Sequence, residues 1–226
     1  MMASISIDPA QVVDGCDPLL PDCLLPFPSN HLTVVDPDTP TGRRVALVAE
    51  ALPANIEGVH IDPTAWHRSD GFSPGSAMAV RFPDLDVEAS GLTPITDIAR
   101  SLDPDSPTVI IDADTGERWP HWAELDANAG DEVPLLYLRP ARNFPDGHRI
   151  VVGLRGLVDA AGEPIAPTDV FRAYRDHLDT GDPDLEARRD SMDEVFEVLE
   201  MAGVDRSDLV VSCVITTAST ENLTGP

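Results

Sequence analysis

The chain has 226 residues, with 40 acidic and 15 basic side chains, which give a formal net charge of −25. This charge repels nucleic acids and anionic membrane surfaces, so neither is an expected partner. The content of hydrophobic residues, 42%, is enough for a folded core. No apolar run in the sequence approaches the roughly 18 residues that a membrane-spanning helix needs, so no membrane span is expected.

The acidity has three candidate causes that the sequence leaves open. One is codon composition combined with selection for solubility, and a second is a salty habitat. The third is a set of calcium sites, because hard cations bind clustered carboxylate oxygens.

The N-terminal third is dominated by Pro, Asp and Gly, which predict an extended arm over residues 1–75. Residues 1–15 contain no basic region followed by an apolar run and are not an intact signal peptide. Cys16 and Cys23 are separated by six residues, two of which are prolines, and this spacing favours a disulfide over free thiols. A disulfide would imply an exported protein. Cys213 lies in an apolar strand pattern and is expected to be a small buried residue.

The following region, residues 76–226, alternates between strand patterns and turn residues. A hairpin is predicted with strands Thr108–Asp112 and Arg118–Leu125 around a turn that contains glycine. Further strands are predicted in SAMAVRF, VPLLYLRPA, HRIVVGLR and DLVVSCVITTA. Two amphipathic helices are predicted in PTDVFRAYRDHL and in DPDLEARRDSMDEVFEVLEMAG, where Asp182 is the expected N-cap and Gly203 the expected exit residue.

This order of elements predicts a mainly β (α+β) fold. Strands are followed by a helical pair, at about residues 167–204, and then by one last strand. Such an order does not alternate as a doubly wound α/β fold would. We therefore expect an antiparallel sheet or sandwich with a two-helix insertion before its last strand and a Pro-rich arm packed on it.

The segment GFSPG (residues 71–75) matches the G-x-S-x-G pattern of a serine-hydrolase nucleophile elbow. In such an elbow the residue after the serine donates its backbone N–H to the oxyanion, but here that residue is Pro74, which has no N–H. Loss of one oxyanion donor costs about 3–4 kcal/mol of transition-state stabilisation. The flanks also lack the strand before and the helix after the serine. We expect a loop here, and a free-standing hydrolase that uses Ser73 is the least favoured hypothesis.

Two other residue pairs are candidates for ligand binding. Asp112 and Asp114, in DADTGE, faintly resemble a calcium loop, although a hairpin turn is the favoured interpretation because Gly116 falls one position early. Trp119 and Trp122 would form the sugar platform of a calcium- or carbohydrate-binding adhesion module, which is the alternative function. The six histidines form no metal-binding motif and are interpreted as surface or turn residues.

Longer segments resemble known families. Leu135–Ile165 and Val210–Thr220 resemble a bacterial Ig-like module, with the turn Asp159–Gly162 and the closing pair Thr216 and Thr217 at matching positions. LPFPSNHL and DGFSPGSAMAVRF resemble the N-terminal, non-catalytic region of exported bacterial lipase/esterase-like proteins, in which an α/β-hydrolase domain can follow.

The resemblance implies an Ig-like β-sandwich over residues 76–226 that acts as a non-catalytic accessory or scaffold domain. It implies that the DGFS segment has a scaffold role and that this chain supplies no catalytic residue. It also implies that the chain binds no cofactor; the alternative is that it binds Ca²⁺. The implied partner is a downstream catalytic domain of the same parent chain. The chain stops after the closing strand, where that domain would begin, so we expect the Ser-His-Asp set to be absent. The implied location is extracellular, periplasmic or at the cell surface.

Overall fold

The computed structural model describes residues 3–13, 15–129 and 133–225. Within these ranges the chain forms nine β-strands: β1 (Thr33–Val35), β2 (Arg43–Val45), β3 (Met78–Val80), β4 (Thr108–Asp112), β5 (Glu117–Arg118), β6 (His121–Leu125), β7 (Leu136–Pro140), β8 (Arg149–Arg155) and β9 (Leu209–Thr216). It also forms four α-helices: α1 (Asp169–Arg175), α2 (Pro183–Ala187), α3 (Arg189–Met201) and α4 (Thr220–Thr224). Short 3₁₀ helices lie at Pro9–Gln11, Asn30–Leu32, Ala49–Ala51, Pro63–Ala65, Ile95–Leu102 and Arg206–Asp208.

The strands form three sheets in which all neighbouring strands are antiparallel. β1 and β2 form a two-stranded sheet in the arm. β3, β7 and β6 form a three-stranded sheet in that order, and β5, β4, β8 and β9 form a four-stranded sheet. The fold is therefore a β-rich α+β fold with mostly antiparallel sheets, as the order of predicted elements indicated. None of the described helices combines the length and the apolar composition that crossing a bilayer requires.

The predicted hairpin is correct in its first strand and wrong in its second. β4 spans the predicted residues, but the segment Arg118–Leu125 is divided between β5, which pairs with β4, and β6, which pairs with β7 in the other sheet. The break falls at Pro120, which has no N–H to donate to a ladder. Trp119 still belongs to the four-stranded sheet, because it donates its backbone N–H to Ile110 O at 2.7 Å.

The helical insertion contains three helices where two were predicted. The segment after Asp182 divides at Arg188 into α2 and α3. Asp182 caps α2 as predicted, because its Oδ1 accepts the N–H groups of Asp184 and Leu185 at 2.9 and 3.2 Å. Gly203 follows α3 with a φ of +80°, the left-handed conformation that glycine adopts most easily.

Helix α3 lies directly on strand β8. A Cβ atom at Gly153 would lie 3.1 Å from both methyl groups of Leu199, so glycine at this position allows the close approach of helix and strand. Phe171 of α1 and Phe196 of α3 are fully buried with ring centroids 5.7 Å apart. The insertion is thus part of the core and covers the four-stranded sheet.

The arm also contributes to the core rather than lying on its surface. Its buried apolar residues belong to the same cluster as the sheets and helices; they are Leu19, Leu20, Leu25, Leu32, Val45 and Leu47. A disulfide joins Cys16 to Cys23 within the arm, in agreement with the spacing of the two cysteines. The third cysteine, Cys213, is free and buried in β9.

A buried ion pair connects the arm to the helical insertion. The Asp17 carboxylate accepts hydrogen bonds from Arg188 Nη1 and Nη2 at 2.8 and 3.2 Å. Its oxygens also accept the Leu19 N–H at 3.1 Å and the Ser29 hydroxyl at 3.1 Å. The Asp17 side chain is 0% exposed and the Arg188 side chain 17% exposed. Because both charges are withdrawn from water, neither can lose its partner without a large desolvation penalty.

We predict that Arg188→Met lowers the free energy of unfolding by about 3–5 kcal/mol, because it leaves the Asp17 carboxylate buried without its partner. Urea denaturation measures the change. The double variant Asp17→Leu/Arg188→Met should recover a large part of the loss, since it removes both buried charges.

A matched control is Arg172→Met, which breaks the exposed pair between Arg172 and Asp169 in α1, with side chains 45% and 43% exposed. It should change the free energy of unfolding by about 0.5 kcal/mol or less. Equal effects of Arg188→Met and Arg172→Met would contradict the structural role assigned to the buried pair.

Candidate functional site

The GFSPG segment forms a loop that leads into β3 and rests against the end of β9. Phe72 donates its N–H to Thr216 O at 2.9 Å and accepts the Ala218 N–H at 2.8 Å. A Cβ atom at Gly71 would lie 2.6 Å from Ala218 N and 2.6 Å from the Thr217 carbonyl carbon, which is closer than real Cβ atoms approach backbone. Glycine is therefore required at position 71 for the loop and strand to meet.

Asp70, immediately before this loop, fixes the segment that follows β9. Its side chain is buried, and Oδ1 accepts the Ser219 N–H at 3.0 Å. Its backbone carbonyl accepts the Thr41 hydroxyl, which links the loop back to the arm. Asp70, Gly71 and Phe72 thus all make contacts that hold the C-terminal segment in place.

Ser73 is exposed and has none of the partners of a catalytic nucleophile among the described residues. Its Oγ accepts the Gly75 N–H at 3.3 Å and forms no hydrogen bond to any described histidine or carboxylate. The nearest histidines in sequence are His67 and His60, and each has a ring nitrogen within hydrogen-bond distance of a backbone carbonyl. His67 Nε2 is 2.9 Å from Leu47 O, and His60 Nδ1 is 2.6 Å from Leu52 O. Activation of a serine requires a base within hydrogen-bond reach.

An apolar cavity of about 720 Å³ lies beside Ser73. Its walls come from the arm, from the segment that precedes the loop, from the three-stranded sheet and from α4; they include Leu25, Leu47, Trp66, Ala79, Tyr137 and Leu223. The arm residues have no strand or helix periodicity, so the sequence analysis missed this cavity. The cluster of apolar residues between Leu47 and Trp66, in a segment without strands or α-helices, was the one signal that could have indicated it.

The two tryptophans do not form an exposed pair. Trp119 is 3% exposed and donates its Nε1–H to Arg142 O at 3.0 Å. The Arg142 guanidinium covers the Trp119 ring, with its central carbon 3.9 Å from the ring centre. Trp122 is partly exposed, and its Nε1–H bonds to Glu124 at 3.1 Å. A sugar platform needs exposed aromatic faces, so Trp119 cannot be part of one.

The structure brings the two acidic candidates together with a histidine that the sequence analysis did not connect to them. Asp112 and Asp114 lie at the turn after β4, and ligand atoms of these residues and of His148 all lie within 4.8 Å of one another. His148 Nδ1 is 2.9 Å from Asp112 Oδ2, and Asp114 Oδ2 accepts the Arg149 N–H at 2.8 Å. The Arg149 guanidinium is 3.8 Å from Asp114.

These contacts fit an ion-pair cluster better than a calcium site. Calcium takes six to eight oxygen ligands, whereas the described cluster supplies two carboxylates that already accept N–H groups and one nitrogen ligand. The Arg149 cation beside Asp114 further offsets the negative charge that would attract a metal ion.

His121 is buried, and the interpretation of all histidines as surface or turn residues is wrong for it. It is 0% exposed; Nδ1–H donates to Trp119 O at 2.8 Å, so Nε2 accepts the Thr108 hydroxyl at 2.8 Å. Burial lowers the pKa of His121 from 6.5 to about 4, so the ring is neutral at pH 7. The ring joins β6 to β4 and has a structural role.

Cys213 is likewise unsuited to chemistry. Its thiol is buried in β9, and this burial raises its pKa to about 12. Since the thiolate is the reactive form of cysteine, this thiol is inert at neutral pH.

Comparisons with protein-family models, with curated proteins and with solved structures found no match to the chain.

We predict that the stability of the protein falls between pH 6.5 and pH 4 with a contribution from His121. In the unfolded chain the pKa of His121 is near 6.5, so the ring takes up a proton below that pH. In the folded chain the ring stays neutral until the pH falls to about 4. The contribution is full above pH 6.5 and is lost as the pH falls; at about 1.4 kcal/mol per pKa unit it reaches about 3 kcal/mol. Denaturant unfolding at several pH values measures it. His121→Gln should flatten the profile in this window, and an unchanged slope would contradict the assignment.

Proposed function

We propose that this chain is a non-catalytic accessory domain of an exported bacterial protein related to lipase/esterase-like α/β-hydrolases. One observation carries the proposal. The DGFS residues that resemble the non-catalytic region of those proteins are used as a structural joint: Asp70, Gly71 and Phe72 hold the end of β9, while Ser73 Oγ hydrogen-bonds only the Gly75 N–H among the described groups.

The second resembling segment, LPFPSN, supports the same proposal. Asn30 donates its side-chain N–H to Thr216 Oγ1 at 3.0 Å and accepts the Thr216 N–H on Oδ1 at 2.8 Å. Both segments therefore converge on Thr216, the last residue of β9. Two sequence-distant motifs with one shared binding partner are consistent with a scaffold role, because both use their polar groups to hold the end of β9.

An Ig-like arrangement of the strands belongs to this proposal. Two antiparallel sheets of three and four strands support it. The turn at Asp159–Gly162 also supports it: Asp159 donates its N–H to Glu163 O at 2.9 Å, and Gly162 has a φ of +82°. The helical insertion before β9 departs from a simple sandwich.

Export is proposed on a separate observation, the disulfide in the arm. The disulfide between Cys16 and Cys23 favours an oxidising compartment, so the proposed location is outside the cytoplasm, in the periplasm or at the cell surface. The proposed partner is a catalytic domain of the same parent chain, against which this domain packs.

The apolar cavity beside Ser73 would suit the acyl chain of an ester, so a hydrolase using this serine needs a direct test. We predict that the purified chain hydrolyses short-chain p-nitrophenyl esters no faster than its Ser73→Ala variant. Loss of a true catalytic serine typically lowers kcat by about 10⁶-fold.

The matched control is Ser76→Ala, which removes a second hydroxyl from the same cavity wall. Wild type and both variants should share one background rate. Turnover that depends on Ser73 but not on Ser76 would overturn the proposed function.

A further inference from the structure

The cavity beside the GFSPG loop has the size and lining of a ligand site. Its volume of about 720 Å³ falls within the roughly 300–1,000 Å³ of small-molecule pockets. The walls bring together residues distant in sequence, such as Leu25 of the arm, Ala79 of β3 and Tyr137 of β7. A concave, mostly apolar pocket that carries a few polar groups is the usual form of a small-molecule site.

The entrance to the cavity is apolar as well. Ile61, Trp66 and Leu223 line it and are nevertheless 46%, 47% and 46% exposed. Val59, in the same segment as Ile61, is 61% exposed. An exposed apolar patch that continues into an apolar cavity marks a binding surface, because single exposed apolar residues are common but continuous ones are not.

The charges around the cavity restrict the ligand. No described residue that lines it is charged, and the polar groups on its walls are neutral, including those of Ser73, Ser76 and Asn222. The second cavity, of about 570 Å³, is different, because it is lined by Arg100, Asp103, Asp105 and Arg155. A carboxylate or ammonium group would lose its hydration in the apolar cavity without gaining an opposite charge. The net charge of −25 further disfavours anions.

We propose that this cavity binds one alkyl chain that carries a neutral, hydrogen-bonding head group. The chain occupies the space between the arm and the three-stranded sheet, and the head group meets the hydroxyl of Ser73 or Ser76 or the amide of Asn222 at the wall. This binding goes beyond the proposed function, because it depends neither on catalysis by this chain nor on the proposed catalytic domain.

The test is titration of the purified chain with 1-octanol, 1-nonanol and 1-decanol, followed by tryptophan fluorescence and calorimetry. Trp66 at the entrance reports on the site. Each added methylene should tighten binding about four-fold, the ratio that corresponds to about 0.8 kcal/mol per buried CH₂. Decanoate should bind at least about tenfold more weakly than 1-decanol, since its charge finds no partner.

Two variants and one control locate the site. Ala77→Phe places a ring in the cavity and should abolish binding, and Ala141→Phe, at an exposed position outside the cavity, should bind as the wild type does. Leu223→Asp changes a half-exposed residue at the entrance and should weaken 1-decanol binding at least tenfold even if Ala77→Phe fails to fold.

Three results would overturn the proposal. The first is binding that is indifferent to chain length, and the second is decanoate binding as tightly as 1-decanol. The third is no binding of any of the three alcohols; self-association that Leu223→Asp abolishes would then assign the surface to a second copy of this chain. Because the readout is binding, none of these results bears on whether Ser73 is catalytic.

Discussion

The fold depends on how two loops of the arm hold the carboxyl end of β9. Asn30 satisfies both the side chain and the backbone N–H of Thr216, and Phe72 exchanges backbone hydrogen bonds with the residues on either side of Thr217. These groups are buried, so each would carry a desolvation cost if its partner were lost. The contact requires glycine at position 71, and it brings residues about 150–190 positions apart into one joint. Residues 1–75 are thus inseparable from the sheets that follow.

The arm is held at a second point, the buried ion pair between Asp17 and Arg188. The arm is fixed to the helical insertion by the ion pair and to β9 by Asn30, with the disulfide Cys16–Cys23 closing the loop that carries Asp17. Between these points the arm crosses the three-stranded sheet without regular ladders along most of its length, apart from the pairing of Phe27 with Ala79. This stretch supplies Leu24, Leu25 and Phe27 to the cavity wall, and later parts of the arm supply others, among them Leu47 and Trp66.

Much of the fold could be predicted from the sequence because it is local. The strand Thr108–Asp112 and the cap at Asp182 follow from patterns of a few residues, and the structure has both. The division of the predicted second strand at Pro120 was missed because apolar residues lie on both sides of this proline. Which sheet a strand joins depends on tertiary contacts, which a local pattern does not contain. The burial of His121 was missed for the same reason, since its partners Thr108 and Ser101 come from other segments. At the candidate site, the loop predicted at GFSPG is present, but the cavity is assembled from distant segments that no local pattern connects.

The central claim is that GFSPG is a structural joint, and the most direct measurement compares the free energies of unfolding of Gly71→Ala and Ser73→Ala. A Cβ at Gly71 meets backbone atoms at 2.6 Å, which cannot shift without moving β9. Gly71→Ala should therefore lower the free energy of unfolding by about 2 kcal/mol or more, as overpacking does. Ser73 is exposed, and Ser73→Ala should change it by about 0.5 kcal/mol or less. Equal stability of the two variants in urea denaturation would contradict the account.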